Sequence, residues 1–336
     1  MTKILILSGT ASAVNYVKSL DSIQGLSLFV TDASRYASLL YSSEITPFVI
    51  PLARNSKEYQ KALDAIIEEQ SIDVMIPTSD HDMEGVMQLI NNGWNPPVLM
   101  FKPDFETYHR LTHKGDLVRS LDGLGLEVPK LYTSLDMVDF PVVLKPPREG
   151  GSKGVWILDN QERLQKKYEE IVQTYGEDVV LQEYIPGESG SIYLALLLYD
   201  QKGELCGEIA TRSTSTLMTW GGGGISGEVV DEPELLETAK TIIASCGGWK
   251  GPVNLEFKKH ADTGLFYLME VNCRLNGYSY LTSMNGLNFP KAIIELLTNG
   301  HTEYLSLDKI KERKNFIISF RERHFDSFLD KQLLKQ

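Results

Sequence analysis

Two short runs in the second half of the chain, VNLEF and YLMEVNCR, alternate polar and apolar residues. Because successive side chains of a β-strand point to opposite faces, Asn254 and Glu256 share one face of the first run. The same alternation places Glu270, Asn272 and Arg274 on one face of the second run. The pattern predicts two strands that each carry a polar face rich in oxygen ligands.

The turn between these runs decides which of the polar residues face each other. If the sequence ADTG is centred on Thr263 and the strands contain no bulge, Glu256 lies directly across from Glu270. Facing carboxylates destabilise a sheet unless a cation lies between them, and carboxylates with an amide suit a hard ion. The hairpin therefore predicts an Mg²⁺ site, with Mn²⁺ as an alternative ion. The competing interpretation is a solvated sheet face, and we favour the metal because Lys258 and Lys259 lie near the turn.

A glycine-rich segment, VVLKPPREGGSKGV, has the features of a phosphate-binding loop without the spacing of a Walker A motif. Lys145 ends the β-branched run and can act as a point charge on phosphate. Glycine lacks a Cβ, so the loop amides can approach phosphate closely. The candidate amides are those of Gly150, Gly151, Ser152 and Gly154. A flexible surface turn is the alternative for this segment.

Composition limits the classes of protein to which the chain can belong. Its 336 residues exceed what one hydrophobic core usually serves, which favours two or three domains. Hydrophobic residues make up 42% and charged residues 23%, as in ordinary globular proteins. A net charge of -12 would repel a polyanion, so we expect small-molecule partners, without nucleic acid or membrane.

The cysteines and the apolar runs indicate the cellular compartment in which the protein is expected. Cys206, Cys246 and Cys273 are widely spaced and odd in number, which fits neither a disulfide framework nor a thiolate zinc site. The N-terminal apolar run is too short for a signal sequence, and the run LALLLY is far too short for a membrane span. We expect a cytoplasmic protein.

The helices and strands that must position these residues belong to several predicted domains. Residues 1–105 alternate strands and helices, which predicts a Rossmann-like domain with a parallel sheet. The loop SGTASAV has one glycine where a dinucleotide fingerprint needs three, so NAD is disfavoured. The segment PTSDHDMEG follows a strand, and we favour a helix N-cap formed by Ser79 or Asp80 over a substrate or metal role.

The remaining chain divides into three further predicted parts. Residues 106–185 read as a small α+β lobe that includes the glycine-rich loop, and residues 186–304 read as antiparallel hairpins with the metal site. Residues 305–336 form a C-terminal extension that is helical or irregular. The fold class is therefore mixed, α/β in the first domain and α+β beyond it.

These motifs together resemble the ATP-grasp superfamily. The resemblance rests on five elements in order: Lys114, Lys145, the glycine-rich loop, the segment LQEYIPGES and the hairpin ending EVNCR. It covers residues 105–300, and the first domain looks like the pre-ATP-grasp domain of carbamoyl-phosphate-synthase-like members. The resemblance implies an ATP-grasp fold, in which two α+β lobes clamp ATP.

The resemblance also implies a role for each matching residue. Lys114 and Lys145 would contact the nucleotide phosphates, with residues 150–154 as a lid. The segment LQEYIPGES would form a hinge in which the backbone of Glu183 and Ile185 contacts the edge of the adenine. Glu188 would bind the ribose. The metal ligands would be Glu256, Glu270 and Asn272, and Arg274 would steady the γ-phosphate or an acyl phosphate.

The segment TRSTSTLMTWGGGGISGE combines Arg212 and Trp220 with four consecutive glycines. This composition is too flexible for a packed element, so the segment is predicted to be a loop that either gates the substrate or merely connects the lobes. We expect Arg212 to be catalytic, together with Arg274 and Lys145. Tyr278 and Tyr280 follow the hairpin and are either acceptor contacts or core aromatics.

Most members of the superfamily phosphorylate a carboxylate and couple the acyl phosphate to an amine. The resemblance therefore implies an ADP-forming carboxylate-amine ligase with ATP and Mg²⁺ as cofactors. A kinase, a bicarbonate-activating carboxylase-like enzyme and a nucleotide sensor without turnover remain alternatives. A homodimer is compatible with the sequence, and the identity of the two substrates is left open.

Overall fold

The computed structural model describes residues 1–9, 11–218 and 221–318, together with Phe325, Ser327 and Leu329. These residues form three sheets, of four, three and six strands. The mixed fold class predicted from the sequence is confirmed. Among the described residues, no helix is both long enough and apolar enough to span a membrane.

The N-terminal sheet is parallel and carries helices in its crossovers. Its strands are β1 (Thr2–Leu7), β2 (Leu26–Asp32), β3 (Ile45–Val49) and β4 (Val74–Pro77), in the order β3-β2-β1-β4. The helices are α1 (Ala11–Leu20), α2 (Ser56–Gln70) and α3 (Asp80–Asn91). The sequence analysis did not identify β3. Its Pro47 is tolerated because β3 lies at the sheet edge, where one side of the backbone needs no ladder partner.

Two short helices lead from this domain into the small lobe. They are α4 (Phe105–Thr112) and α5 (Lys114–Ser120). The small sheet is antiparallel in the order β6-β5-β7, formed by β5 (Val142–Lys145), β6 (Trp156–Leu158) and β7 (Val180–Glu183). Helix α6 (Gln161–Tyr175) packs Leu164 and Ile171 against Val142 and Leu144 of β5. This lobe therefore has an apolar core of its own, which fixes the strand that ends in Lys145.

The large sheet is built mainly of antiparallel strands. They are β8 (Ile192–Tyr199), β9 (Leu205–Met218), β10 (Gly221–Val230), β11 (Gly251–Lys259), β12 (Phe266–Asn272) and β13 (Phe316–Ile317), in the order β12-β11-β8-β9-β10-β13. Helix α7 (Pro233–Ser245) connects β10 to β11, and α8 (Ser279–Met284) and α9 (Phe289–Asn299) follow β12. The predicted antiparallel hairpins are confirmed.

Strand β8 is buried along its whole length because both faces of the sheet are covered. Leu194, Leu196 and Leu198 face a core that also contains Ile4 and Ile6 of β1. The alternate residues face a second core that includes α7. One continuous apolar core thus joins the large sheet to the N-terminal sheet.

The segment predicted as a flexible loop is a strand pair instead. Strand β9 extends to Met218, and β10 begins at Gly221 and returns beside it through irregular pairing. The loop prediction failed because composition does not show what packs against the glycines: a Cβ on Gly224 would overlap the hydroxyl of Tyr278. Trp220 lies outside the described residues.

The C-terminal prediction can be followed only as far as residue 318. A 3₁₀ turn spans Leu307–Lys309, and β13 pairs with β10. Most of the remaining segment lies outside the described residues.

Candidate active site

The acidic residues of the β11–β12 hairpin face each other as predicted. Glu256 pairs with Glu270, and Asn254 pairs with Asn272. The assumption of a hairpin without a bulge is wrong, because the pairs nearer the turn, such as Phe257 with Leu268, are shifted by one residue. Met269 is the additional residue on β12. The turn is centred slightly before Thr263, which without a bulge would place Met269 opposite Glu256. The additional residue restores the predicted pairing of Glu256 with Glu270.

The two carboxylates differ in their electrostatic environment. Burial and then the charge of Glu270 raise the pKa of Glu256, although Lys114 and Lys145 act in the opposite direction. Burial also acts to raise the pKa of Glu270, but Lys114, a hydrogen bond from Asn272 and Lys145 together bring that pKa below its ordinary value. The Asn272 amide donates to Glu270 Oε1 at 3.1 Å. Glu270 is thus the anchored anion, and Glu256 is the carboxylate that most needs an additional cation.

Two buried lysines reach this hairpin from different elements. Lys114 begins α5, and its Nζ lies 3.2 Å from Glu270 Oε2 and donates to the Glu149 carbonyl at 2.7 Å. Lys145 ends β5, and its Nζ donates to the carbonyl of the bulged Met269 at 3.4 Å. Burial and then the charge of Lys114 lower the pKa of Lys145 to about 7. Both lysines predicted to bind phosphate therefore converge on the predicted metal ligands.

Arg274 is held by a residue of the N-terminal domain. Its Nε donates to Asp80 Oδ1 at 2.8 Å and its Nη2 donates to Asp80 Oδ2 at 2.5 Å, a bidentate pair. Nη2 also lies 3.4 Å from Asn272 Oδ1. Asp80 is the first residue of α3, and Ser79 is the N-cap, accepting from the Asp82 amide at 3.1 Å. The N-cap prediction is confirmed for Ser79, whereas Asp80 has a role at the site that we did not expect.

The glycine-rich loop lies over the same residues. The amide of Lys114 donates to the Pro147 carbonyl at 2.9 Å, which ties the loop to α5. Gly151 and Ser152 both have positive φ, 65° and 60°, and both line the main cleft. Gly154 has a different role, because a Cβ there would lie 2.8 Å from Cγ of Pro146.

Gly150 lies against the N-terminal domain. A Cβ on Gly150 would lie 2.9 Å from Asp80 Oδ2. Arg148, also in the loop, places Nη1 3.2 Å from Glu84 Oε2, and Glu84 accepts from the Tyr108 hydroxyl at 2.9 Å. These residues border a smaller cavity of about 200 Å³ on the side of the loop that faces α3.

The main cleft has a volume of about 420 Å³ and has three regions: a charged middle, an apolar end and an end lined by neutral polar groups. The charged residues that line its middle are Lys114, Lys145, Glu256, Glu270 and Arg274. One end is apolar and is formed by both lobes; its residues are Val143, Val155, Ile157, Ile185 and Ile192. The other end is formed by neutral polar groups, namely Ser12, Asn15, Ser213, Asn254, Asn276 and Tyr278. Such a cleft can hold an elongated ligand with an apolar head and an anionic centre.

Comparisons with known proteins agree with this architecture. A family model described as ATP-grasp in the biosynthetic pathway with Ter operon matches residues 176–316. Biotin carboxylase from Campylobacter jejuni, in a complex with beta-gamma-ATP, superposes with a TM-score of 0.71 at 19% identity over 94% of this chain and 74% of that one. The chain has the ATP-grasp fold. The resemblance to that superfamily is thereby confirmed.

A curated protein and a further solved structure are also similar to this chain. The N-terminal section of the carbamoyl phosphate synthase large chain from Aquifex aeolicus is 22% identical over 301 residues, which are 81% of this chain and 51% of the relative. The L-amino acid ligase from Bacillus licheniformis has a TM-score of 0.62 at 15% identity, covering 88% of this chain and 74% of that one. The chain thus spans about half the length of the curated relative. The predicted nucleotide agrees with the beta-gamma-ATP of the biotin carboxylase complex, and the predicted Mg²⁺ agrees with the MgADP bound to the biotin carboxylase domain of the Hydrogenobacter thermophilus 2-oxoglutarate carboxylase.

Three residues predicted to belong to the site do not line the described cleft. Arg212 pairs with Glu228 at 2.5 Å and lies on the opposite face of β9 from Ser213. Glu183 accepts from the Lys130 amide at 2.8 Å through its carboxylate, and its own amide donates to the Lys130 carbonyl. Glu188 is exposed before a 3₁₀ turn. Arg212 was predicted to lie at the site because the segment that forms β9 was predicted to be a loop. Side chains alternate between two faces in a strand but not in a loop, so the prediction did not assign Arg212 to a face.

Ile185 and Tyr278 do line the cleft. Ile185 is buried at the apolar end of the cleft. The Tyr278 hydroxyl lies 2.7 Å from Ser213 Oγ at the neutral end. Tyr280 does not line the cleft and lies beneath Lys18, whose Nζ is 5.8 Å from the ring centroid.

Lys258 is a cleft residue that the sequence analysis did not assign. It is 3% exposed, and burial lowers its pKa to about 8. Its Nζ lies 4.9 Å from the centroid of the Tyr184 ring. The signal was present in the sequence, because the alternation that joins Asn254 to Glu256 continues to Lys258 on the same face.

Proposed function

We propose that the protein is an ATP-dependent ligase that phosphorylates a carboxylate and couples the resulting acyl phosphate to an amine, with release of ADP and phosphate. The observation that carries the proposal is the convergence of Lys114, Lys145, Glu256, Glu270 and Arg274 on one cleft. Relatives named D-alanine--D-alanine ligase, D-aspartate ligase and L-amino acid ligase support this reaction class.

The donor set at the hairpin fits Mg²⁺. Glu256, Glu270 and Asn272 offer carboxylate and amide oxygens, which are hard ligands. Within the described residues, no three His, Cys, Asp or Glu side chains come together as a metal cage. The remaining ligands must therefore be phosphate oxygens and water, which is the usual arrangement for Mg²⁺ bound with a nucleotide. When bound, the ion neutralises charge on the phosphates.

The side chains of the cleft have separable roles in the proposed reaction. Lys114 and Lys145 lie beside the acidic hairpin and balance the charge of the nucleotide phosphates. The substrate carboxylate attacks the γ-phosphorus and ADP leaves, which forms the acyl phosphate. Arg274 lies at the boundary with the neutral end of the cleft and is the cation available to this intermediate.

The second step requires the amine to reach the acyl carbon while water is excluded. The amine attacks that carbon, phosphate leaves with the bonding electrons, and the amine nitrogen loses its extra proton. The glycine-rich loop lies over the cleft through Gly151 and Ser152 and provides a cover for the intermediate. No covalent protein nucleophile is required.

Trapping with hydroxylamine tests the proposed chemistry. The protein is incubated with ATP, Mg²⁺ and single carboxylates from a panel of amino acids, with hydroxylamine as the acceptor. We expect a hydroxamate together with ADP and phosphate, and no product with Lys145→Ala. AMP with pyrophosphate would indicate adenylation, and a phosphorylated product that resists hydroxylamine would indicate a kinase. Either outcome would contradict the ligase proposal.

A further inference from the structure

The neutral end of the main cleft is bordered by a segment close to the C-terminus. Strand β13 pairs with β10 at the edge of the large sheet. The Ile318 amide continues this pairing by donating to the Ile225 carbonyl at 2.7 Å. Ile318 thereby lines the cleft together with Gly224 and Tyr278. The segment thus supplies an apolar side chain to an end of the cleft that is otherwise lined mainly by polar groups.

The two isoleucines of this segment face opposite sides of the sheet. Phe316 pairs with Gly227, which pairs in turn with Ser213 of β9, and directly paired residues share a face. Ser213 lines the cleft, so this is the face that borders the ligand. Side chains alternate along a strand, which places Ile318 on the same face as Phe316 and Ile317 on the other. Ile317 is 73% exposed and does not line the cleft.

Two sets of contacts fix the position of this segment. The ring of Phe316 meets the ring of Tyr278 edge to face, with centroids 4.9 Å apart and an interplanar angle of 77°. The Lys314 amide donates to Asn285 Oδ1 at 2.7 Å, and Asn285 Nδ2 donates to the Lys314 carbonyl at 2.9 Å. Asn285 is buried, so water does not compete effectively for these bonds. Ile318 is therefore positioned before any substrate binds.

The chemistry of the neutral end indicates which side chain a substrate can place there. Among the described residues, its lining carries no charged side chain other than Arg274 at its boundary. Arg274 can pair with a carboxylate, but a charged group nearer to β13 would lose water without gaining an ion partner. Ile318 is 40% exposed, so an apolar group that covers it removes apolar surface from water.

We propose that Ile318 is a specificity-determining residue that contacts the side chain of the carboxylate substrate and selects an uncharged, apolar one. The substrate class is then an amino acid of the type of alanine or leucine, rather than glutamate or lysine. The inference rests on the proposed function for the role of this ligand as the phosphorylated carboxylate. The contact itself can be measured by binding alone.

Binding of amino acids to the nucleotide-loaded protein tests this contact. The protein is saturated with Mg²⁺ and a non-hydrolysable ATP analogue, and calorimetry measures the dissociation constants of the L- and D-enantiomers of alanine, leucine, glutamate and lysine. The variants are Ile318→Asp and the conservative Ile318→Leu. Ile317→Asp is the matched control, because it places the same charge on the opposite, exposed face of the same segment. Thermal unfolding of each variant verifies that it is folded.

We expect the wild-type protein to bind alanine or leucine more tightly than glutamate or lysine, by about tenfold or more. Ile318→Asp should weaken binding of the preferred apolar amino acid by a similar factor and should bind lysine more tightly than the wild type does. Ile318→Leu and Ile317→Asp should both keep the wild-type preference.

Unchanged affinities in Ile318→Asp, or equal losses for all four amino acids, would overturn the contact. A wild-type preference for glutamate or lysine, or no binding of any of these amino acids, would also overturn it. Binding of an apolar amino acid that responds to Ile318→Asp as expected, but yields no hydroxamate in the trapping assay, would support the contact and contradict the proposed function.

Discussion

The guanidinium of Arg274 is held by the carboxylate of Asp80 through two hydrogen bonds, of 2.8 and 2.5 Å, between residues 194 positions apart. Asp80 begins a helix of the N-terminal domain, and Arg274 follows the acidic hairpin of the large lobe. Asp80 also raises the pKa of Arg274, against the opposing effect of burial. The N-terminal domain thus positions a cation of the candidate active site, and Gly150 of the loop packs against the same carboxylate.

Asp80→Asn should lower turnover without preventing nucleotide binding. The substitution keeps the shape of the side chain but removes the charge that orients Arg274, and misplacement of a reacting group by about 1 Å costs on the order of 100-fold in rate. We expect kcat to fall by roughly 10- to 100-fold by this principle, with little change in KM for ATP. Steady-state ADP release measures both constants.

The control for this prediction is Asp136→Asn, which changes an exposed carboxylate outside the cleft. Asp80→Glu, which restores the charge, should recover part of kcat. A selective rise in KM for ATP in Asp80→Asn would contradict a role through Arg274.

Glu270→Gln should abolish most Mg²⁺-dependent turnover while the fold is retained. The variant removes a charge from the predicted metal site and also releases Lys114 from its 3.2 Å ion pair. We expect roughly a 100-fold or greater loss of ADP release and a higher Mg²⁺ concentration for half-maximal rate. Glu169→Gln, on the exposed face of α6, provides the matched control. Wild-type rates for Glu270→Gln would remove the assignment of the metal site.

Lys145→Ala and Lys153→Ala should have very different effects, although Lys145 ends the strand before the glycine-rich loop and Lys153 lies within that loop. Lys145 is 5% exposed and contacts the hairpin, whereas Lys153 forms an exposed pair with Glu149 at 3.7 Å. Exposed pairs contribute about 0–1 kcal/mol, so Lys153→Ala should change ATP affinity by less than about fivefold. Lys145→Ala should weaken ATP binding or turnover by more than about 100-fold because phosphate charge stays uncompensated. Equal losses, measured by ADP release and nucleotide binding, would refute these roles.

The pairing of the two hairpin strands could be predicted from sequence because it depends on residues that are close together in the chain. Alternation assigns the faces, and a short turn sets the register of Glu256 and Glu270 to within one bulged residue. The pairing of Arg274 with Asp80 could not be predicted, since no local pattern relates residues so distant in the chain. Arg212 was misplaced for a related reason: the strand that turns it toward Glu228 exists only because β8 and β10 flank β9.

Gly224→Ala should destabilise the protein through its contact with Tyr278 in the cleft wall. The Cβ of alanine would overlap the Tyr278 hydroxyl, and forced overpacking typically costs about 1–3 kcal/mol. The Tyr278 hydroxyl also bonds Ser213 and the Ser226 carbonyl, at 2.7 and 3.2 Å, so it cannot move without breaking these bonds. Urea unfolding should show the loss for Gly224→Ala, whereas Gly190→Ala, with open space at its Cβ, should cost much less. In a Tyr278→Ala background the cost of Gly224→Ala should largely disappear, because the overlapping atoms are gone; an undiminished cost would show that strand geometry rather than Tyr278 requires the glycine.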